Sequence, residues 1–306
     1  MIRLTITPSH DIIISNFYLF SGGTALKKHK GAACLIFLAA VLAILIFMPY
    51  LWAFLLKKFM TVTEDNYFFA TVLVTLPELV IFTGILALRK RLTVLTRNGR
   101  GIINTLLAGG FMLTFSIILL MANVMGLSPD RKPLPAMQIL WFLLSMILSA
   151  GLREELVFRG IMQNTLREYF GWGTKKGVYL SVFISGAVFG LTHLVNIQSG
   201  VTVAGAVSQA IGAAGMGFYM GAIYARGGSL WALVILHSFE DIAALAGSGI
   251  FGVSTITQAI SNGAGIPSRL VTFALYTALT LFLLRNDKLQ ECYDAFDIRK
   301  KKQQSP

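Results

Sequence analysis

Two adjacent carboxylates, Glu154 and Glu155, stand between Arg153 and Arg159 in the stretch Ser149-Ala-Gly-Leu-Arg-Glu-Glu-Leu-Val-Phe-Arg-Gly160, inside an otherwise lipid-like chain. Charge next to or within a membrane span is costly, so it usually marks a functional site. On a helix, Glu155 and Arg159 lie four residues apart and share a face, which suits an ion pair. Glu154 is turned by about 100° from Glu155 and cannot easily share that partner. The spacing therefore divides the labour, with Glu155 structural and Glu154 reactive. The bland alternative is a helix end at the cytoplasmic interface, with Arg153 and Arg159 as plain topology markers.

Two more polar groups interrupt apolar runs downstream. Phe189-Gly-Leu-Thr-His193 closes one of them, with Phe189 one turn before His193 on the same face. A lone histidine in such a place more often packs and hydrogen-bonds than catalyses, so its weight comes from company. His237-Ser-Phe-Glu-Asp241 interrupts the next run, and its i, i+4 spacing puts imidazole and carboxylate on one helix face. Such a pair can bind a metal, orient a base or donate to an oxyanion, or simply join two helices. Glu240 lies beside the pair but points off that face.

One mechanism uses all of these groups. Glu154 and His193 hold and deprotonate a water. His237 stabilises the oxyanion, with Asp241 protonated or orienting His237. The competing arrangement has Glu154, His193, His237 and Asp241 around Zn²⁺, whose bound water attacks. Either one hydrolyses an amide.

The elements that must position these residues are membrane helices. The chain has 306 residues, is 55% hydrophobic and only 13% charged, with a mean hydropathy of +0.70. A soluble domain this apolar could not cover its surface. The net charge of +12 sits at the ends of apolar runs, which fits topology signals and lipid headgroups rather than nucleic acid. Cys34 and Cys292 make neither a disulfide framework nor a metal site. No cleavable signal peptide is visible, because the first long apolar run begins near Ala32.

Eight runs are each long enough to cross about 30 Å of hydrocarbon. They cover Ala32–Leu56, Tyr67–Leu88, Ile102–Val124, Ala136–Leu156, Val178–Asn196, Val201–Ala225, Leu230–Gly247 and Ser268–Leu284. Basic residues fall mostly on one side of this arrangement, which places both termini in the cytoplasm. The chain divides into an N-terminal arm (1–31), N-terminal spans (32–135), a polar core (136–247), a last loop and span (248–285) and a basic tail (286–306). A span ending at Leu156 would leave Glu154 at the membrane edge, far from the depth of His193. The apolar pattern through Leu166 and Tyr169 instead predicts one long fourth helix and a fifth that also begins outside the membrane. Gly217 and Gly221, on the glycine-rich sixth span, form a small-xxx-small pair that suits close packing at the bundle centre. Glu78, beside Pro77 in the second span, reads as a structural carboxylate with a polar neighbour.

The series Glu154-Glu155-Leu-Val-Phe-Arg159, Phe189-Gly-Leu-Thr-His193 and His237-Ser-Phe-Glu-Asp241 resembles the EExxxR, FxxxH and HxxxN/D motifs of the CPBP family. That family holds the type II CAAX prenyl endopeptidases and bacteriocin-immunity-like proteins. The resemblance covers roughly residues 136–247. It implies an intramembrane protease with a glutamate-activated water; metal dependence has been considered for the family too. By the resemblance Glu154 is the base, His193 its partner, and His237 with Asp241 the oxyanion side, with Glu155, Arg159 and Phe189 supporting. Asp241 stands where the prenyl-protease branch has Asn. That departure bears on prenyl-protein substrates, since an amide donates freely and a carboxylate does not.

The expectation is an all-α polytopic protein of about eight spans, in a bacterial plasma membrane. It would cleave CAAX-type, leader or membrane-associated peptides without a required cofactor, zinc being the alternative. Its partners would be a peptide or membrane-protein substrate and lipid, with no nucleic acid; the oligomeric state is left open. Two other readings stand beside it. One is a catalytically idle immunity or scaffold protein. The other is a proton-coupled transporter using Glu78, Glu154 and Asp241, against which the absence of inverted repeats weighs.

Overall fold

A computed structural model describes residues 24–97, 100–128 and 130–296. Most of the arm and the basic run Arg299–Lys302 lie outside the described residues. The described chain is all-α, with no strand. Its main helices are α1 (Thr24–Leu56), α2 (Tyr67–Leu88), α3 (Ile102–Ala108), α4 (Gly110–Met125), α5 (Ala136–Phe170), α6 (Lys175–Thr192), α7 (Val203–Gly227), α8 (Leu230–Gly249), α9 (Ile266–Leu283) and α10 (Leu289–Asp294). Seven are long and apolar enough to span a membrane, or eight if the bent pair α3–α4 is one span. This is a polytopic membrane protein. Large apolar side chains such as Leu35, Ile36, Phe47 and Phe54 on α1 face outward, as lipid-facing helices require.

Three expectations change in detail. The third span is not one straight helix: α3 and α4 meet at a 70° bend. Gly109 at the bend lies against α8, where an added Cβ would come within 2.4 Å of Leu236 Cδ1. The helix at α1 begins at Thr24, inside the expected arm. The segment after Leu284 is not a solvated tail throughout, because α10 buries Leu289 and Cys292 against the bundle. Its apolar residues recur at helical spacing within a run too short and too charged to read as an element.

The long fourth helix forms as expected. At 35 residues it is about 52 Å long at 1.5 Å per residue, well beyond the hydrocarbon thickness. Gly171, at φ 109°, ends it in a conformation that favours glycine. Thr174 then caps α6, accepting from the Gly177 N–H at 2.9 Å.

The most buried helix, α7, lies at the bundle centre between α6 and α9. With no hydrophobic force between helices in lipid, close packing depends on small residues. An added Cβ on Gly186 of α6 would lie 2.7 Å from Gly217 C, and one on Gly190 would lie 2.6 Å from Ala210 O. This contact fixes Phe189, between those two glycines, against α5 and α8. Side chains of α5 donate along α7: Arg159 to Gly217 O at 3.2 Å and Gln163 to Gly221 O at 2.9 Å. Asn164 and the Tyr224 hydroxyl are 3.0 Å apart.

Several arginines gather at the end where α2 and α7 finish. Arg89 and Arg91, after α2, pair with Glu168 at 3.2 and 2.7 Å. Arg226, after most of α7, pairs with Glu291 of α10 at 2.5 Å, and Arg100 joins the same carboxylate.

Candidate active site

The two glutamates sit at a junction inside α5. Met146–Arg153 and Leu156–Gln163 are π-helical on either side of them. Such wide turns are rare and are frequently found at functional sites. Gly151, one turn before Glu155, brings α5 against α8: an added Cβ would sit 2.0 Å from Ser238 Oγ and 3.1 Å from Val234 O. That approach sets the carboxylates directly opposite His237.

Glu155 is fully buried and Arg159 is 1% exposed, with Nη1 at 2.7 Å from Oε1. The expected structural pair is therefore present, but it has a third member. His237 Nδ1 lies 2.8 Å from the same Glu155 oxygen. Asp241, read from the sequence as either protonated or orienting His237, is the more distant neighbour of this ring, and the group within hydrogen-bond reach of Nδ1 is Glu155. The spacing along α8 revealed only the partner on the same helix, while the nearer one comes from α5. With Nδ1 donating to a carboxylate, the opposite nitrogen Nε2 faces Glu154 Oε2 at 3.9 Å and Asp241 Oδ2 at 3.7 Å. Both separations are too long for a hydrogen bond.

His193 ends α6, where the α-helix tightens into the 3₁₀ turn His193–Ser199. Its Nδ1 lies 2.9 Å from Phe189 O. A carbonyl can only accept, so Nδ1 is the nitrogen that carries the proton in the neutral ring, whose lone pair is then on Nε2. Phe189 ties the parts together. Its ring meets His193 edge-on at 4.9 Å and His237 at 5.7 Å between centroids. The Arg159 guanidinium lies 5.0 Å from the same ring, a cation–π contact.

Glu154, His193, His237 and Asp241 all line one cavity of about 1080 Å³. Its other polar walls include groups that the sequence reading set aside. Glu240, expected off the His237 face, also lines it and accepts from the Tyr276 hydroxyl of α9 at 3.2 Å. Arg269 of α9 and the Asn196–Gln209 pair, 2.8 Å apart, complete that side. Arg153 lines it too, donating to the fully buried Glu78 of α2 at 2.9 Å and lying 3.4 Å from Glu154 Oε1. The signal for Glu78 and Arg269 was present in each case: an ionisable residue in or at the edge of an apolar run.

Among the described residues, no group of three or more His, Cys, Asp or Glu side chains is disposed to hold a metal. Each histidine has Nδ1 engaged, His237 on Glu155 and His193 on Phe189 O, which leaves Nε2 as the nitrogen open to the cavity, for a water or for a metal alike. What the geometry offers is a carboxylate, two imidazole nitrogens and a second carboxylate around a volume that can hold water and a peptide group.

No curated protein and no solved structure matches the chain. Residues 136–243, the stretch that supplies Glu154, His193, His237 and Asp241, match the family model described as type II CAAX prenyl endopeptidase Rce1-like, in agreement with the CPBP family that the three motifs resemble.

Proposed function

We propose that the protein is an intramembrane endopeptidase that hydrolyses a peptide bond with a water activated by Glu154. The observation that carries this is the spacing around His237 Nε2, 3.9 Å from Glu154 and 3.7 Å from Asp241, in a cavity shared with His193. A water held between Glu154 and His193 Nε2 gives its proton to Glu154 while its oxygen attacks the scissile carbonyl. Protonated His237 donates from Nε2 to the developing oxyanion, held in place by Glu155 through Nδ1. Asp241 balances the imidazolium. The proton on Glu154 then passes to the leaving amine nitrogen as the C–N bond breaks.

The low-dielectric surroundings strengthen each of these interactions. CAAX-type, leader or other membrane-associated peptides are the substrates that such a site would meet. The clustering of arginines at one end fits that end facing the cytoplasm, by the positive-inside rule. The test is cleavage of a peptide library by detergent-purified protein, with products read by mass spectrometry. Wild type should cut and Glu154→Gln should not, with both equally well folded. Absence of cleavage by folded wild type would favour an idle relative.

A further inference from the structure

Glu154 is approached by charge from several elements. Arg153, Glu155 and Arg159 come from its own helix, and His237 and Asp241 from α8. One more charge reaches it indirectly, from α2, which lies outside the segment that matches the family model. Glu78 is fully buried there, and its Oε2 accepts from Arg153 Nη1 at 2.9 Å. The other terminal nitrogen of the same guanidinium stands 3.4 Å from Glu154 Oε1. The Arg153 side chain is 15% exposed and that of Glu154 19%, so both border the cavity while their anchor does not.

An arginine fork is planar, and fixing one prong fixes the other. Glu78 holds the prong at 2.9 Å, the shorter contact, so Arg153 is seated on α2. Its second prong then meets only one oxygen of Glu154, leaving Oε2 for the side that faces His237. A guanidinium free of Glu78 could instead rotate to grip both oxygens of Glu154 in a fork-to-fork pair, the geometry that arginine and carboxylate favour. That would turn Oε2 away from the cavity and hold the carboxylate as an ion-pair partner.

We infer that Glu78 is a positioning residue for hydrolysis: through Arg153 it keeps Glu154 in a one-oxygen contact and its second oxygen turned toward the reacting water. The inference rests on Glu154 being the base. It assigns α2 a part in the active site.

The experiment measures kcat and KM for a cleaved library peptide with wild type, Glu78→Gln, Glu78→Asp, Arg153→Gln and the Glu78→Gln/Arg153→Gln double variant. Melting curves in the same detergent accompany the kinetics. A base displaced by about 1 Å costs on the order of 100-fold in rate. Glu78→Gln should therefore lower kcat about 10- to 100-fold, with KM within about 2-fold. Glu78→Asp, which keeps the charge on a shorter arm, should fall between it and wild type. Because Glu78 acts only through Arg153, adding Glu78→Gln to Arg153→Gln should change kcat by no more than about 2-fold. The double variant also leaves no stranded arginine, so it tests the inference where Glu78→Gln alone does not fold. Three results overturn the inference: wild-type kcat in a folded Glu78→Gln, losses that multiply in the double variant, or a raised KM with unchanged kcat. If wild type cleaves and Glu154→Gln does not, any of these removes the role of Glu78 alone. If Glu154→Gln still cleaves, both readings fall together.

Discussion

Glu155 serves two buried partners at once, so replacing it should damage stability and rate by separable amounts. Its Oε1 lies 2.7 Å from Arg159 Nη1 and 2.8 Å from His237 Nδ1, and none of the three side chains is more than 2% exposed. Glu155→Ala strands Arg159, whose remaining partners are the Gly217 carbonyl at 3.2 Å and the Phe189 ring. Leaving one member of a buried ion pair uncompensated costs roughly 3–5 kcal/mol. At about 2–4 °C per kcal/mol for a chain of this general size, the melting temperature should drop on the order of 10 °C. Arg159→Met should cost a similar amount, because it strands Glu155. The double variant Glu155→Ala/Arg159→Met leaves neither charge and should recover at least about 2 kcal/mol of the summed loss, the coupling expected for contacting residues. The assay is thermal unfolding of detergent-purified protein, closed as a double-mutant cycle. Rate separates the second role: even in the stabilised double variant His237 has lost its orienting carboxylate, so kcat should stay about 10- to 100-fold below wild type, the scale seen when such an outer partner is removed. Melting within about 2 °C of wild type for Glu155→Ala, or strictly additive single losses, would refute the idea of a shared buried anion.

Other consequences follow from packing, charge and donor chemistry. Gly151→Val should separate α5 from α8, because the Val234 carbonyl, 3.1 Å from the added Cβ, is backbone and cannot swing aside; cleavage should fall about 100-fold with helical circular dichroism retained. Gly84→Val, where an added Cβ meets nothing within 4 Å, is the matched control, and equal losses in the two would defeat the argument. Glu291 is partly desolvated, which raises its pKa, but hydrogen bonds from Lys288 and Arg226 and the charges of Arg226 and Arg100 outweigh that and hold it at about 2, below the ordinary 4.5. A depressed carboxylate contributes stability that is present above its unfolded value and lost as pH falls through its folded one. The docking of α10 should therefore weaken between pH 4.5 and about 2, and Glu291→Gln should flatten that part of a melting-temperature profile; an unchanged profile would count against it. Purified active protein should contain substoichiometric metal and lose little activity to chelators; one tightly bound zinc per chain, with activity lost on removal and restored on return, would reverse that reading.

The all-helical fold was legible because its signal is one-dimensional. Runs such as Tyr67–Leu88, and the fourth span from Ala136 with its pattern continuing to Tyr169, appear in apolar period and length alone, and the observed helices Tyr67–Leu88 and Ala136–Phe170 follow them closely. The bend at Gly109 was less visible, since apolarity continues through it and the Gly109-Gly110 pair that permits it is closed upon by Leu236 of α8. The same distinction applies at the site. Spacing along one helix put Glu155 with Arg159 and His237 with Asp241, at 2.7 and 3.7 Å. It could not show that the shortest contact of His237 crosses to Glu155, at 2.8 Å, or that Arg153 divides itself between Glu154 and a carboxylate 75 residues earlier. Partners between helices depend on which faces meet, and here small residues decide that: Gly151 against Ser238, and Gly186 and Gly190 against α7. In a soluble protein a buried ion pair has water as its alternative. In a bilayer each ionisable side chain must find a partner, on its own helix as Glu155 does in Arg159 or on another, or border a cavity. A lone charge in an apolar run is thus evidence for a second group that the local sequence does not contain. Applied to Glu78, that reasoning leads to Arg153 and from there to Glu154, so a residue that looks structural within its own span belongs to the chain of contacts that reaches the carboxylate proposed as the base.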